Sequence, residues 1–254
     1  MFNASPFRLK MFQQCPRQYK FHYIDDLSKI YAKPRPYFTM GDHIHAALKD
    51  FLSIVPVEER TVARLENLLR EKWRRYRKGF EDLDDEKRWG ERALDQVRWF
   101  AQNQDLSITP IMVEDYHKAE LSPKITLVGK IDRVDKDAEG GLHIIDYKTG
   151  KMPEETDRTQ LYIYALILSK KQELPVAKVS YLYLVAGEFE TLWPTTADLE
   201  QAADYVVSMV DRILAETKYP AIINSYCGTC DFLKICPRKD EIPGLAVDEE
   251  ELDF

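Results

Sequence analysis

The chain has 254 residues, a formal net charge of −7, 44% hydrophobic residues and 31% charged residues. This length can bury a substantial core, and the composition is ordinary for a globular protein. No apolar run approaches the roughly 18 residues that span a bilayer, and the first residues lack the regions of a secretory signal. We therefore expect a cytoplasmic protein with no membrane partner. The negative charge gives no support to nucleic-acid binding, although a bound cation can supply local positive potential.

The first half of the chain is predicted to be helical. Residues 5–26 carry apolar residues at helical spacing, with Cys15-Pro16 inside this helix or at a break in it. A proline-rich loop follows at 33–36. From residue 40 to about residue 104 the pattern is typical of amphipathic helices.

The pattern changes at Pro110. Residues 111–149 alternate and favour β-branched types, with turn signals at 122–123 and 137–141, so we predict three strands. The elements predicted after them are a helix at 157–171, a strand at 177–185, a hairpin partner near 189–193, a helix at 196–217 and a disordered acidic end at 247–254. A helical first half and this core predict an α/β domain with a helical insertion.

The second and third predicted strands carry the most informative residues. Asp132 lies on one strand, Asp146 and Lys148 lie on the next, and the turn residues 136–141 between them favour a β-hairpin. If the hairpin closes symmetrically about Glu139, Asp132 lies directly opposite Asp146, with Cβ atoms about 4.5–5.5 Å apart. Lys148 shares the face of Asp146 because side chains alternate along a strand.

Two opposed carboxylates repel each other unless one is protonated, a cation lies between them, or a lysine neutralises part of the charge. Oxygen-rich sites of this type favour Mg²⁺ or Mn²⁺. Lys148 would then lie where it can orient or deprotonate a water. Two alternatives stay open: a bulge would separate the pair, and a solvated hairpin would turn both aspartates to water.

Four motifs occur in one order along the chain. They are Gly41-Asp42-His43-Ile44-His45, Gly129-Lys130-Ile131-Asp132, Ile144-Ile145-Asp146-Tyr147-Lys148-Thr149-Gly150, and Gln160 followed by Tyr164. Together they resemble the RecB-type branch of the PD-(D/E)XK nucleases. The resemblance implies a restriction-endonuclease-like core, in which a mixed β-sheet is flanked by helices.

The resemblance also implies roles for individual residues. The implied metal ligands are His45, Asp132, Asp146 and the backbone carbonyl of Tyr147, and the implied catalytic residues are Lys148, Asp132, Asp146, Gln160, Tyr164 and Glu114. Gln160 and Tyr164, four residues apart on one helix face, would contact the DNA strand or support Lys148. Glu114 is the candidate for the family's acidic residue on the first core strand, with Glu120 as the alternative.

The four cysteines are Cys227, Cys230 and Cys236 near the C-terminal end and Cys15 far upstream. Four thiolates suit a [4Fe–4S] cluster or Zn²⁺, and spacing does not choose between them; four unrelated reduced thiols are the remaining alternative. The arrangement resembles that of AddB and the CRISPR-associated RecB-like exonucleases, which implies a [4Fe–4S] cluster that joins the two ends. Arg17 is predicted to contact a DNA phosphate or to remain a surface residue.

We therefore predict one nuclease domain over residues 1–254. Its parts are an N-terminal segment at 1–40, a helical part at 41–108, a catalytic core at 109–218, a cysteine motif at 219–240 and an acidic tail at 241–254.

The predicted function is metal-dependent cleavage of DNA. By resemblance, the enzyme is an exonuclease acting on single-stranded DNA or DNA ends. The alternative is a non-catalytic DNA-binding or scaffold subunit of a DNA-processing complex. The chain has no Gly-x-x-x-x-Gly-Lys-Ser/Thr motif, so any unwinding would come from a partner, such as a helicase or a CRISPR or recombination protein.

Overall fold

The computed structural model describes residues 1–242. The acidic end that the sequence predicts to be disordered, residues 247–254, lies outside the described residues. Within residues 1–242, no helix combines the length and the apolar character that crossing a bilayer requires.

The helices and strands follow the order that the sequence predicts. In chain order they are β1 (Phe2–Ala4), α1 (Pro6–Gln14), α2 (Pro16–Tyr19), a π-helical turn (Lys20–Ile24), α3 (Ser28–Tyr31), α4 (Pro36–Ser53), a 3-10 turn (Val57–Glu59), α5 (Val62–Arg75), α6 (Leu83–Asn103), β2 (Met112–Ser122), β3 (Ile125–Lys136), β4 (Leu142–Lys148), α7 (Thr159–Ser169), β5 (Val176–Tyr183), β6 (Glu188–Leu192), α8 (Thr196–Ala215), and 3-10 turns at Cys227–Thr229, Leu233–Ile235 and Lys239–Glu241. The helical first half and the strands of the core are thus confirmed.

The first predicted helix is broken at Cys15. Cys15 has an extended backbone, and Pro16, which has no N–H to donate, begins the next helix. The sequence pattern did not reveal strand β1, because three residues in front of a helix are too few to show alternation.

The strands form one mixed sheet. Its order is β1-β3-β4-β5-β6, and β2 also pairs with β3. Strand β3 is antiparallel to β2 and β4, whereas β4 and β5 are parallel and are connected through α7. The hairpin that carries Asp132 and Asp146 therefore lies on central strands.

Helices cover both faces of this sheet. Ile144 belongs to a core cluster with residues of α1, α7 and α8, whereas Ile145 belongs to a second cluster with residues of α4, α5 and α6. Because consecutive residues of a strand point to opposite faces, the two groups of helices lie on opposite sides. The mixed sheet flanked by helices is as predicted.

Gly129 allows α7 to approach β3 closely. A Cβ atom at this position would lie 2.6 Å from Cε1 of Tyr164, closer than packed atoms tolerate. The glycine of the second motif is therefore a packing requirement, which lets the Tyr164 ring lie against the strand.

Replacing Gly129 by alanine should destabilise the fold. The added methyl group displaces the Tyr164 ring, and overpacking of this kind lowers the free energy of unfolding by about 1–3 kcal/mol. Denaturation in urea measures the change. Gly90→Ala is the matched control, since its Cβ would lie 3.7 Å from Trp73 within α6; it should stabilise the fold by about 0.5–1 kcal/mol. Equal stability of Gly129→Ala and wild type would show that the ring moves without cost.

Candidate active site

Asp132 and Asp146 lie on neighbouring strands, as the hairpin symmetry predicts. The β3–β4 ladder pairs Arg133 with Ile145, and one step further this register brings Asp132 opposite Asp146. There the backbone N–H of Tyr147 donates to Oδ2 of Asp132 at 2.8 Å. Both aspartates are buried, so the alternative of a solvated hairpin is wrong.

Glu114 extends this pair into a row across three strands. The β2–β3 ladder pairs Val113 with Arg133 and Asp115 with Ile131, so Glu114 lies opposite Asp132. Glu114 has a φ of +54°, in the left-handed region that is strained for a residue with a side chain. Such strain is maintained where the surrounding structure fixes the residue, and it is common at functional sites.

His45 reaches this row from α4. Its Nδ1 donates to Oε1 of Glu114 at 3.0 Å and lies 3.3 Å from Oδ1 of Asp132. One ligand atom from each of these three residues lies within 4.8 Å of the others. Burial alone would lower the pKa of His45, but the carboxylates of Asp132 and Glu114 raise it well above its ordinary value.

Lys148 is held by Asp146 and Gln160. Its Nζ lies 2.9 Å from Oδ2 of Asp146 and donates to Oε1 of Gln160 at 2.9 Å. The Gln160 amide donates in turn to Oδ1 of Asp146 at 2.9 Å and to the Tyr164 hydroxyl at 3.0 Å. Of the two predicted roles for Gln160 and Tyr164, these contacts favour support of Lys148.

Two carboxylates of the row, Asp146 and Glu114, have pKa shifts in opposite directions. Burial raises the pKa of Asp146 to about 6, and the nearby Lys148 offsets part of this effect. Burial acts in the same direction on Glu114, but hydrogen bonds from His45 and Lys130 lower its pKa to about 2. Of these two carboxyl groups, Asp146 therefore binds a proton at a higher pH than Glu114 does.

Lys130 was not assigned a role from the sequence. Its Nζ contacts Oε2 of Glu114, and 59% of its side chain is exposed. Lys130 lies two residues before Asp132 and so shares its strand face, which is the signal that would have found it. Glu120, the alternative to Glu114, is exposed and does not line the cleft.

A cleft of about 1110 Å³ opens over the row. The predicted residues that line it are His45, Glu114, Asp132, Asp146, Tyr147, Lys148, Gln160 and Tyr164. The helices contribute lining residues that carry no sequence signal of their own, namely Phe38 and Lys49 of α4 and Trp89, Arg92 and Trp99 of α6. The cleft thus combines acidic, basic and aromatic groups.

The donor set of the row fits a hard divalent cation. Carboxylate oxygens are the ligands that Mg²⁺ and Mn²⁺ favour, whereas imidazole is the softer ligand of this set. Glu114 and Asp132 offer oxygens and His45 offers a nitrogen within 4.8 Å of one another, and Asp146 on the next strand offers a further oxygen.

The four cysteines line a second, smaller cavity where the two ends of the described chain meet. Backbone N–H groups of Ile222 and Asn224 donate to Sγ of Cys15 at 3.5 Å and of Cys227 at 3.4 Å. The Asn224 side chain also donates to the Gln14 carbonyl at 3.0 Å. Within residues 1–242, no three of the four Sγ atoms lie within 4.8 Å of one another.

Arg17 lies at the cysteine cavity and not in the acidic cleft. Its backbone N–H donates to the Pro220 carbonyl at 3.2 Å, and its guanidinium donates to the Lys218 carbonyl at 3.3 Å. These bonds tie the N-terminal segment to the C-terminal one. A DNA contact by Arg17 stays a prediction.

A mixed sheet with a row of carboxylates, a supported lysine and a cleft of this composition defines the class of restriction-endonuclease-like phosphodiester hydrolases. The chain belongs to the PD-(D/E)XK nuclease superfamily, whose family model matches residues 3–237.

Solved structures resemble the fold at low sequence identity. The crystal structure of a "Putative exonuclease" from Eubacterium rectale has a TM-score of 0.56 and 12% identity, with 97% of this chain and 90% of that chain covered. The crystal structure of SSO0001 has a TM-score of 0.39 and 18% identity, with 80% of this chain and 96% of that chain covered. A search of curated proteins finds no match.

Ion binding at the row should weaken as the pH falls. Burial alone would lower the pKa of His45, but its carboxylate neighbours raise it well above the ordinary value. The imidazole must therefore lose a proton before its nitrogen can bind an ion. We expect the affinity for Mn²⁺ to rise up to about tenfold per pH unit between about pH 6 and 8.

Calorimetric titration with Mn²⁺ at several pH values measures this dependence. His45→Gln should bind more weakly and release about one proton fewer. An unchanged pH dependence in His45→Gln would show that the imidazole is not a ligand.

Proposed function

We propose that the chain is a divalent-metal-dependent deoxyribonuclease of the RecB-like branch, an exonuclease that hydrolyses phosphodiester bonds in single-stranded DNA or at DNA ends. The observation that carries the proposal is the row of Glu114, Asp132 and Asp146 on three adjacent strands, with Lys148 2.9 Å from Asp146. The order of the four motifs along the chain supports the RecB-like assignment.

His45, Glu114, Asp132 and Asp146 would hold Mg²⁺ or Mn²⁺, with the carbonyl of Tyr147 as a further ligand. When bound, the ion lowers the pKa of a coordinated water and neutralises charge on the phosphate. The cleft residues bring the DNA phosphate to the row, and Tyr147 fixes Asp132 through its backbone N–H.

Lys148 acts as a positively charged donor. Burial lowers the pKa of Lys148, but the adjacent Asp146 more than compensates and the net shift is upward. A protonated amine orients the attacking water and stabilises the negative charge that develops on the phosphate. Gln160 holds the amine in position through its own bond to Asp146, which preorganises the site.

Substitutions of Lys148 and of the carboxylates in the row should lower cleavage sharply. We expect Lys148→Met to lower the turnover of labelled single strands with Mg²⁺ or Mn²⁺ by about 100- to 1000-fold, because a preorganised donor is lost. Asp146→Asn should have an effect at least as large. Glu114→Gln should also lower turnover, whereas Glu120→Gln, its exposed counterpart on β2, should leave it unchanged.

Substrates labelled at each end separate exonuclease from endonuclease products. Unchanged turnover in Asp146→Asn would contradict the site. Wild-type protein that binds DNA and cuts none with either ion would favour the non-catalytic scaffold subunit. A helicase or a CRISPR or recombination protein is the kind of partner that the DNA substrate implies.

The cysteines would hold a [4Fe–4S] cluster that joins the two ends. The four cysteines line one cavity to which both ends of the described chain contribute, which supports a shared metal centre. The resemblance to the iron–sulfur exonucleases favours the cluster over structural zinc. Backbone N–H groups directed at the sulfurs also suit thiolate ligands.

Anaerobically purified protein should be brown and contain iron and sulfide. Cys230→Ser should lose the visible absorption and melt at a lower temperature, because one of four ligands that close a very long loop is removed. Asp146→Asn should keep the colour, since the acidic row and the cysteine cavity share no lining residue. A colourless protein loaded with zinc would contradict the cluster.

A further inference from the structure

One face of α4 carries an aromatic ring at a fixed distance from the acidic row. Phe38, Asp42, His45 and Lys49 follow at intervals of three or four residues, and all line the cleft. The helix is uninterrupted over Pro36–Ser53. Phe38 therefore lies about 10.5 Å before His45 along the helix axis, and Lys49 lies about 6 Å beyond it.

The cleft that Phe38 lines also contains other aromatic and basic residues. The Tyr37 and Phe38 ring centroids are 4.5 Å apart. On α6, the Arg92 guanidinium lies 4.9 Å from the centroid of the Trp89 ring, and both residues line the same cleft. Grooves that bind single-stranded nucleic acid combine rings for bases with cations for the backbone in this way.

Phe38 is also accessible to a ligand. Its exposed fraction is 49%, although it lies in a cleft whose other rings are more buried. Stacking on a base would remove the exposed ring from water, and any base can stack because each has a π face.

We infer that Phe38 is a stacking platform for an unpaired nucleobase of the strand whose phosphodiester bond lies at the carboxylate row. The inference rests on the proposed function. A separation of about 10.5 Å equals about three nucleotide steps of a duplex-like strand at about 3.4 Å each, and fewer steps of an extended strand. The stacked base therefore lies one to three nucleotides from the bond that is cut, and Lys49 lies toward the other side of that bond.

Binding without catalysis tests the platform first. A short fluorescein-labelled single strand is titrated with the full chain in metal-free buffer, and fluorescence anisotropy gives the affinity. Phe38→Ala should weaken binding about 5-fold or more. Phe38→Trp should keep the wild-type affinity, whereas Phe38→Leu should bind as weakly as Phe38→Ala, because only an aromatic ring stacks on a base. Trp193→Ala, a matched change at a ring that is 69% exposed outside the cleft, should have no effect.

Abasic scanning of the strand gives the second measurement. One abasic site is moved along the oligonucleotide. For the wild-type protein, the abasic site should weaken binding at a single position, by about as much as Phe38→Ala weakens binding to the intact strand. That position should lie one to three nucleotides from the cleavage site, and its effect should disappear in Phe38→Ala. The wild-type scan does not depend on whether any variant folds.

The outcomes separate the inference from the proposed function. If the protein cuts DNA but the abasic scan shows no sensitive position, or an equal loss of affinity at every position, the stacking platform is overturned and the nuclease proposal stands. Protein that shows the sensitive position but never cuts overturns the nuclease proposal and keeps the platform. Failure to bind any single strand in metal-free buffer overturns the platform.

Discussion

The repulsion among buried carboxylates on adjacent strands is the constraint on which the site depends. Glu114, Asp132 and Asp146 occupy one row with little access to water, and each ionised group loses hydration there. The structure compensates with cations from three directions. His45 approaches from α4, Lys130 from β3, and Lys148 from the end of β4. Removing one cation would leave an uncompensated charge, so the same contacts serve folding and function.

The two ends of the described chain are joined close to the helix that carries His45. Arg35, the residue before α4, donates to the Thr229 carbonyl and lies 3.1 Å from the carboxylate of Asp231. Both partners lie between Cys227 and Cys236 in the sequence. The start of α4 is thus fixed to the cysteine motif, and α4 in turn carries His45 and Phe38. The folding of the cysteine motif therefore helps to position α4, and with it His45, at the acidic row.

The hairpin was predictable from the sequence because its turn residues and its symmetry fix the register. The choice between Glu114 and Glu120 was not, because both glutamates lie on one strand. It depends on the register of β2 against β3, which brings Glu114 opposite Asp132 and pairs Glu120 with Thr126, and alternation does not reveal this register. The aromatic lining of the cleft was also not predictable, since Phe38 and Trp89 are distant in sequence and line one cleft only because α4 packs on α6. Neither Phe38 nor Trp89 differs in sequence pattern from an ordinary core residue.

Two lysines near the row differ in how firmly the protein holds them, and this separates their roles. Lys148 has 21% of its side chain exposed and contacts both Asp146 and Gln160. Lys130 is 59% exposed and contacts Glu114, so solvent screens its charge and its side chain keeps more conformational freedom. Stabilising a transition state requires a donor whose position is set before the reaction begins. Lys148 meets this requirement, whereas Lys130 is suited to neutralising the strained Glu114. The amine on the third strand of the row is thus held in place because α7 packs against that strand and supplies Gln160.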